Sequence, residues 1–175
     1  MSLISSNNFW EWAYSDFMSN SLRGVLAEFI VASALGCTST KRTEWDAYDL
    51  LAEGGLKIEV KTSAYLQSWS QSKLSDIRFD IGRKKAWDAK TNSSSEVALR
   101  SSDVYVFCVF ASIDRYTANP LDLEQWFFIV CPTQVLDEKL PDQKTIGLSA
   151  LEALGLSRIT FGVLKAGIYA AKSYR

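Results

Sequence analysis

Two apolar runs decide what this chain can fold into. Val104-Tyr105-Val106-Phe107-Cys108-Val109-Phe110-Ala111 carries no charge, and Gln125 to Cys131 encloses Trp126-Phe127-Phe128-Ile129-Val130. Neither alternates polar with apolar, so neither can turn one face to water. Both read as central strands buried on both sides of a sheet. Such strands need a layer on each face, and the sequence offers helices for it. Asn20 or Ser21 can cap a helix whose Leu22, Val25, Leu26, Phe29, Ile30 and Ser33 fall on one side, with Gly36 as a left-handed stop. Val31, Ala32 and Leu35 make the opposite side nearly as apolar. Arg23 and Glu28 are the only charges, so Glu28 is expected in crowded surroundings. Further helices are expected over Phe9 to Tyr14, behind the capping types Ser5 to Asn8, from Ser149 to near Gly155, and over Phe161 to Lys172.

The remaining strands are short. Tyr48 to Ala52 and Leu56 to Thr62 flank Glu53-Gly54-Gly55, a hairpin signal with glycine where positive φ is needed. Ile77 to Ile81 alternates as a further strand. This order predicts an α/β fold with a central mixed β-sheet flanked by helices. With 175 residues, no internal repeat and no low-complexity linker, residues 1–175 read as a single domain.

Composition narrows the chemistry. The chain has no histidine, which excludes Ser-His-Asp and Cys-His hydrolases and histidine-ligated zinc or haem sites. Acid–base and metal chemistry must come from carboxylates, Lys, Tyr, Cys or water, and oxygen ligands favour Mg²⁺, Mn²⁺ or Ca²⁺. Cys37, Cys108 and Cys131 are odd in number and far apart, a reduced, intracellular pattern. Met1 to Asn20 lacks the basic and apolar regions of a signal peptide, and no apolar run is long enough to span a membrane, so a cytoplasmic protein is expected. Lys and Arg number 19 against 20 Asp and Glu, so any attraction for nucleic acid must be local. Trp10, Trp12, Trp126, Phe127 and Phe128 are assigned to the core or to a subunit interface.

The informative stretch is Asp49 to Lys61. Side chains alternate along a strand, so Glu59 and Lys61 share one face while Ile58 and Val60 point to the core. A three-residue turn at Glu53-Gly54-Gly55 would pair Ala52 with Leu56 and set Asp49 opposite Glu59. Two carboxylates so placed repel unless a cation or a proton lies between them. A four-residue loop would shift the register and send Asp49 to the other face. Asp46 competes with Asp49 for the role of first carboxylate, and Asp49 is preferred because it is in phase with Glu59. The plain alternative is that Lys57, Glu59 and Lys61 form only the solvated face of a strand.

The helix with Glu28, then Asp49, then Ile58-Glu59-Val60-Lys61, resembles the PD-(D/E)XK nuclease superfamily in motif order over the first half of the chain. Tyr48 stands where that family's name has proline, and Tyr65 precedes Gln67 by two positions where some relatives carry a Gln and a Tyr a helical turn apart. The resemblance implies a restriction endonuclease-like fold and Mg²⁺- or Mn²⁺-dependent hydrolysis of DNA, with homodimers common among relatives. Asp49 and Glu59 would ligate the metal with the backbone carbonyl of Val60, and Glu28 would bind the same or a second ion. Lys61 would orient and help deprotonate the attacking water and stabilise charge in the transition state.

Downstream, Lys73, Arg78, Arg83, Lys84, Lys85 and Lys90 outnumber Asp76, Asp80 and Asp88, with Trp87 among them. With Gln67, the residues Arg83, Lys84, Lys85 and Trp87 are the candidates for substrate contact, gripping phosphates and stacking a base. The acidic C-terminal half, including Asp137 and Asp142, is expected to face away from nucleic acid. The alternative function is a catalytically inactive module on the same fold that binds nucleic acid or a protein.

Overall fold

A computed structural model of the chain describes residues 4–39, 42, 47–88 and 93–173, with the backbone alone at 86–88 and 93–95. The two apolar runs form the middle of the sheet. Strand β6 (Val104–Phe110) is buried at every position, and β7 (Trp126–Pro132) runs antiparallel to it from Val104↔Pro132 to Phe110↔Trp126. On the other flank β2 (Leu56–Ala64) pairs parallel to β6, and β1 (Leu50–Ala52) lies antiparallel along β2. The order β1-β2-β6-β7 makes the central sheet mixed, as the sequence predicts.

Each face is covered. Helices α2 (Asn20–Leu35) and α5 (Phe161–Lys172) pack on Ile58, Val60, Val106, Cys108 and Phe128. The other face, with Tyr105, Phe107 and Ile129, is covered by four elements. These are the pair β3 (Arg78–Asp80) and β8 (Thr145–Gly147), and the helices α3 (Thr133–Lys139) and α4 (Leu148–Glu152). Strands β4 (Lys84–Asp88) and β5 (Ser93–Leu99) form a separate two-stranded ribbon. Helix α1 (Ser6–Tyr14), capped by Ser5, buries no residue, so Trp10 and Trp12, 57% and 84% exposed, are not part of the core. Among the described residues no helix is long and apolar enough to cross a membrane.

Helix α2 departs from its expected form in two ways. Ser19, not Asn20 or Ser21, is the cap, its hydroxyl accepting the Leu22 N–H at 3.3 Å, because Asn20 accepts from Arg23 instead. The buried side runs through Arg23, Leu26, Ala27, Ile30, Val31 and Leu35, while Val25 and Phe29 are exposed. A helix apolar all round gives periodicity nothing to choose by, and here small Ala27 faces the sheet. Gly36 ends the helix at φ 73, as expected.

Arg100, just past β5, locks the ribbon to the body. Its guanidinium is fully buried and donates to Asp137 at 2.6 Å and to the carbonyls of Ile81, Leu140 and Gln143 at 2.8, 2.9 and 3.3 Å. Arg100→Ala would strand the buried Ile81 carbonyl and the part-buried Leu140 and Gln143 carbonyls, and is expected to lower stability by about 3 kcal/mol in urea unfolding. An unchanged unfolding midpoint would show the bracket to be dispensable.

Candidate active site

The turn between β1 and β2 sets the site. Glu53–Gly55 forms one tight turn with Gly54 and Gly55 at φ 74 and 73, a conformation that other residues adopt only with strain. The ladder runs Ala52↔Leu56, Leu51↔Lys57, Leu50↔Ile58, which is the three-residue register. Asp49 lies just before the ladder and departs from its regular register: its N–H donates to the Ile58 carbonyl at 3.0 Å, so it sits against Ile58 rather than directly opposite Glu59, whose charge still reaches its carboxyl. Its carboxylate Oδ2 accepts the Val60 N–H at 2.7 Å. N–H and C=O of one residue point to the same edge of a strand, so the Val60 carbonyl also faces the β1 side, past the last β1 pairing.

Glu59 is the hub. Its Oε1 lies 2.5 Å from Lys61 Nζ and 3.9 Å from Lys84 Nζ, and the Ser102 hydroxyl donates to Oε2 at 3.4 Å. The Glu59 and Lys61 side chains are both largely buried. Burial alone would lower the Lys61 ammonium, but Glu59, with help from Asp49, outweighs it and holds Lys61 above its usual range. Asp49 moves the other way for an acid: burial, then the neighbouring Glu59 and Glu28 charges, push it up to about 6 against the pull of Val60 N–H and Lys61. Negative charge is thus in excess around Asp49.

Glu28 stands near this pair but is engaged elsewhere. Arg42 grips it through Nε–Oε2 at 2.5 Å and Nη2–Oε1 at 2.9 Å. Among the described residues no three His, Cys, Asp or Glu side chains are gathered closely enough to hold a metal. The structure therefore brings Asp49, Glu59, Val60 and Lys61 together and leaves Glu28 beside them. The donor chemistry still fits a hard divalent cation. All candidate ligands are oxygens, and the burial and the neighbouring carboxylate charges that raise Asp49 are offset by a bound cation.

Other predicted residues are placed differently. Gln67 is buried, donating to the Ala64 carbonyl at 3.0 Å and the Ser75 hydroxyl at 3.2 Å and accepting from Arg23 at 3.1 Å. Its amide braces the loop after β2 against α2. Arg83, Lys84 and Lys85 are exposed, with Arg83 Nη2 3.7 Å from Asp137 and Lys84 Nζ 3.4 Å from Asp80. Asp137 therefore sits against the basic segment rather than away from it, because Arg100 draws α3 to the ribbon's root. Trp87 lies in β4, its side chain outside the described residues; Asp46 and Lys90 are outside them altogether. Two neighbours of Glu59 escape sequence reading: Ser102, and Tyr105, its register partner on β6. Burial, then Glu59, pushes the Tyr105 hydroxyl well above its usual range, so it stays neutral. The one signal for Tyr105 is the parallel β2–β6 register, which a single sequence does not display.

These features define a mixed α/β protein with a carboxylate–lysine site on an edge hairpin. The sequence model of the bacteriophage T4 endonuclease IV family matches residues 10–149, well over half of the chain, and the chain belongs to that family. Membership makes it a nuclease and implies DNA as its substrate. No curated protein matches the chain significantly.

Proposed function

We propose that the chain is a metal-dependent DNA endonuclease of the PD-(D/E)XK type, with a restriction endonuclease-like fold. The observation that supports this most is that the hairpin brings the Asp49 carboxylate onto the Val60 N–H, beside the Glu59 charge, while Lys61 pairs with Glu59. Asp49, Glu59 and the Val60 carbonyl would hold Mg²⁺ or Mn²⁺, with Glu28 contributing directly or through water once Arg42 releases it. When bound, the ion supplies a water of lowered pKa and stabilises charge on the scissile phosphate. Lys61, held as the ammonium, donates hydrogen bonds that orient the attacking water and a non-bridging phosphate oxygen. Its raised pKa makes it a better donor than base, so Lys61 would orient the attacking water rather than deprotonate it, and the proton would pass to bulk solvent. Ser102 and neutral Tyr105 fix and crowd Glu59. Gln67, buried and fully engaged, acts as a brace and not as a substrate contact.

The test is cleavage of linear, supercoiled and single-stranded DNA with Mg²⁺, with Mn²⁺ and with chelator. Metal-supported cleavage that chelator abolishes is expected; cleavage unaffected by chelator would contradict the metal. One observation favours the inactive binding module, the Arg42 grip on Glu28. DNA binding with no cleavage under any metal would select that reading.

A further inference from the structure

The β4–β5 ribbon is built as an arm that starts at the catalytic carboxylate. It forms its own two-stranded sheet, and most of its described side chains are exposed, on both faces: Lys84, Lys85, Glu96, Val97 and Leu99, with Ala98 half-buried. A lone two-stranded ribbon is marginal in water, and exposed apolar side chains on it are unfavourable unless something covers them. Val97 and Leu99 are 67% and 44% exposed. Lys84 pairs with Leu99 in register, so Lys84, Leu99 and, two residues on, Val97 share one face. Lys84 on that face approaches Glu59 at 3.9 Å, which makes the face continuous with the catalytic site. Residues 83–99 hold four basic and two acidic residues in a chain whose net charge is −1. Arg100 holds the root rigidly while the strands above it pack chiefly on each other.

We propose that this ribbon is a DNA-clasping arm that DNA covers on both faces: Val97 and Leu99 cover sugar and base edges beside the scissile phosphate, and Lys85, on the opposite face with Ala98, contacts backbone phosphate. The proposal rests on the nuclease reading. Charge and apolar surface then act on one ligand, and the covered ribbon is stabilised by what it binds.

The experiment measures binding of labelled DNA across a salt series to a non-cleaving Lys61→Ala parent. Two further variants are built on that parent: Lys85→Ala, and Val97→Thr with Leu99→Thr, which keeps strand propensity. Lys85→Ala is expected to reduce the slope of log K against log salt by about 0.7 to 0.9, the loss of one phosphate contact. The threonine variant is expected to weaken binding several-fold at an unchanged slope. Affinity and slope equal to the parent's in both would overturn the arm. Failure of the parent itself to bind DNA would overturn the nuclease reading, and the arm with it.

Discussion

Lys61→Ala is expected to lower the rate of DNA cleavage by about 10³-fold, the scale of losing one charged donor or proton-transfer group at a reacting phosphate. The ammonium sits on Glu59 at 2.5 Å inside a largely buried pocket, where Lys84, at 3.9 Å and far more exposed, is a poor substitute. Its removal leaves Glu59 less neutralised, so a metal-free Lys61→Ala protein should also be less stable, and melting measured beside the rate separates the two effects. Lys61→Arg keeps the charge but spreads it over a planar group, and recovers stability more than rate. Full cleavage by folded Lys61→Ala would remove Lys61 from the chemistry.

The second large effect concerns Asp49. Its carboxyl in the folded protein is raised from 3.8 to about 6, first by burial and then by Glu59. The folded state thus binds a proton more tightly than the unfolded chain. The penalty is absent below the unfolded value, grows between 3.8 and about 6, and is complete above that. A shift of this size corresponds to about 2 to 3 kcal/mol, an upper bound for a group only partly buried. Asp49→Asn removes the charge and keeps an oxygen for the Val60 N–H. In chelator at pH 7.5 the variant should be the more stable protein by about 2 kcal/mol, with the advantage gone near pH 4. Mg²⁺ should stabilise the wild type and not the variant. Urea unfolding at the two pH values measures this; a wild type more stable than the variant at pH 7.5 in chelator would show that burial and the neighbouring carboxylates do not penalise the Asp49 charge.

Much of this was readable from residue order. Val104 to Phe110 and Trp126 to Cys131 are central strands because uninterrupted apolar runs have no other stable place, and the Gly54-Gly55 turn fixes a register that follows from strand geometry. The ribbon was not readable: its strands are rich in lysine and serine, and most of their described side chains are exposed, so no apolar alternation marks them. The Arg42 grip on Glu28 and the Gln67 bracket escaped because they join segments far apart in sequence. The family match spans the hairpin, Glu28 and the ribbon, and ends within α4, before α5 closes one face of the sheet.

The most direct test of the site is single-turnover cleavage of labelled DNA by wild type and Glu59→Gln over a range of Mg²⁺ concentrations. The arrangement of Asp49, Glu59 and Lys61 predicts that Glu59→Gln raises the Mg²⁺ midpoint at least tenfold and lowers the plateau rate. The same midpoint and plateau in both proteins would contradict it.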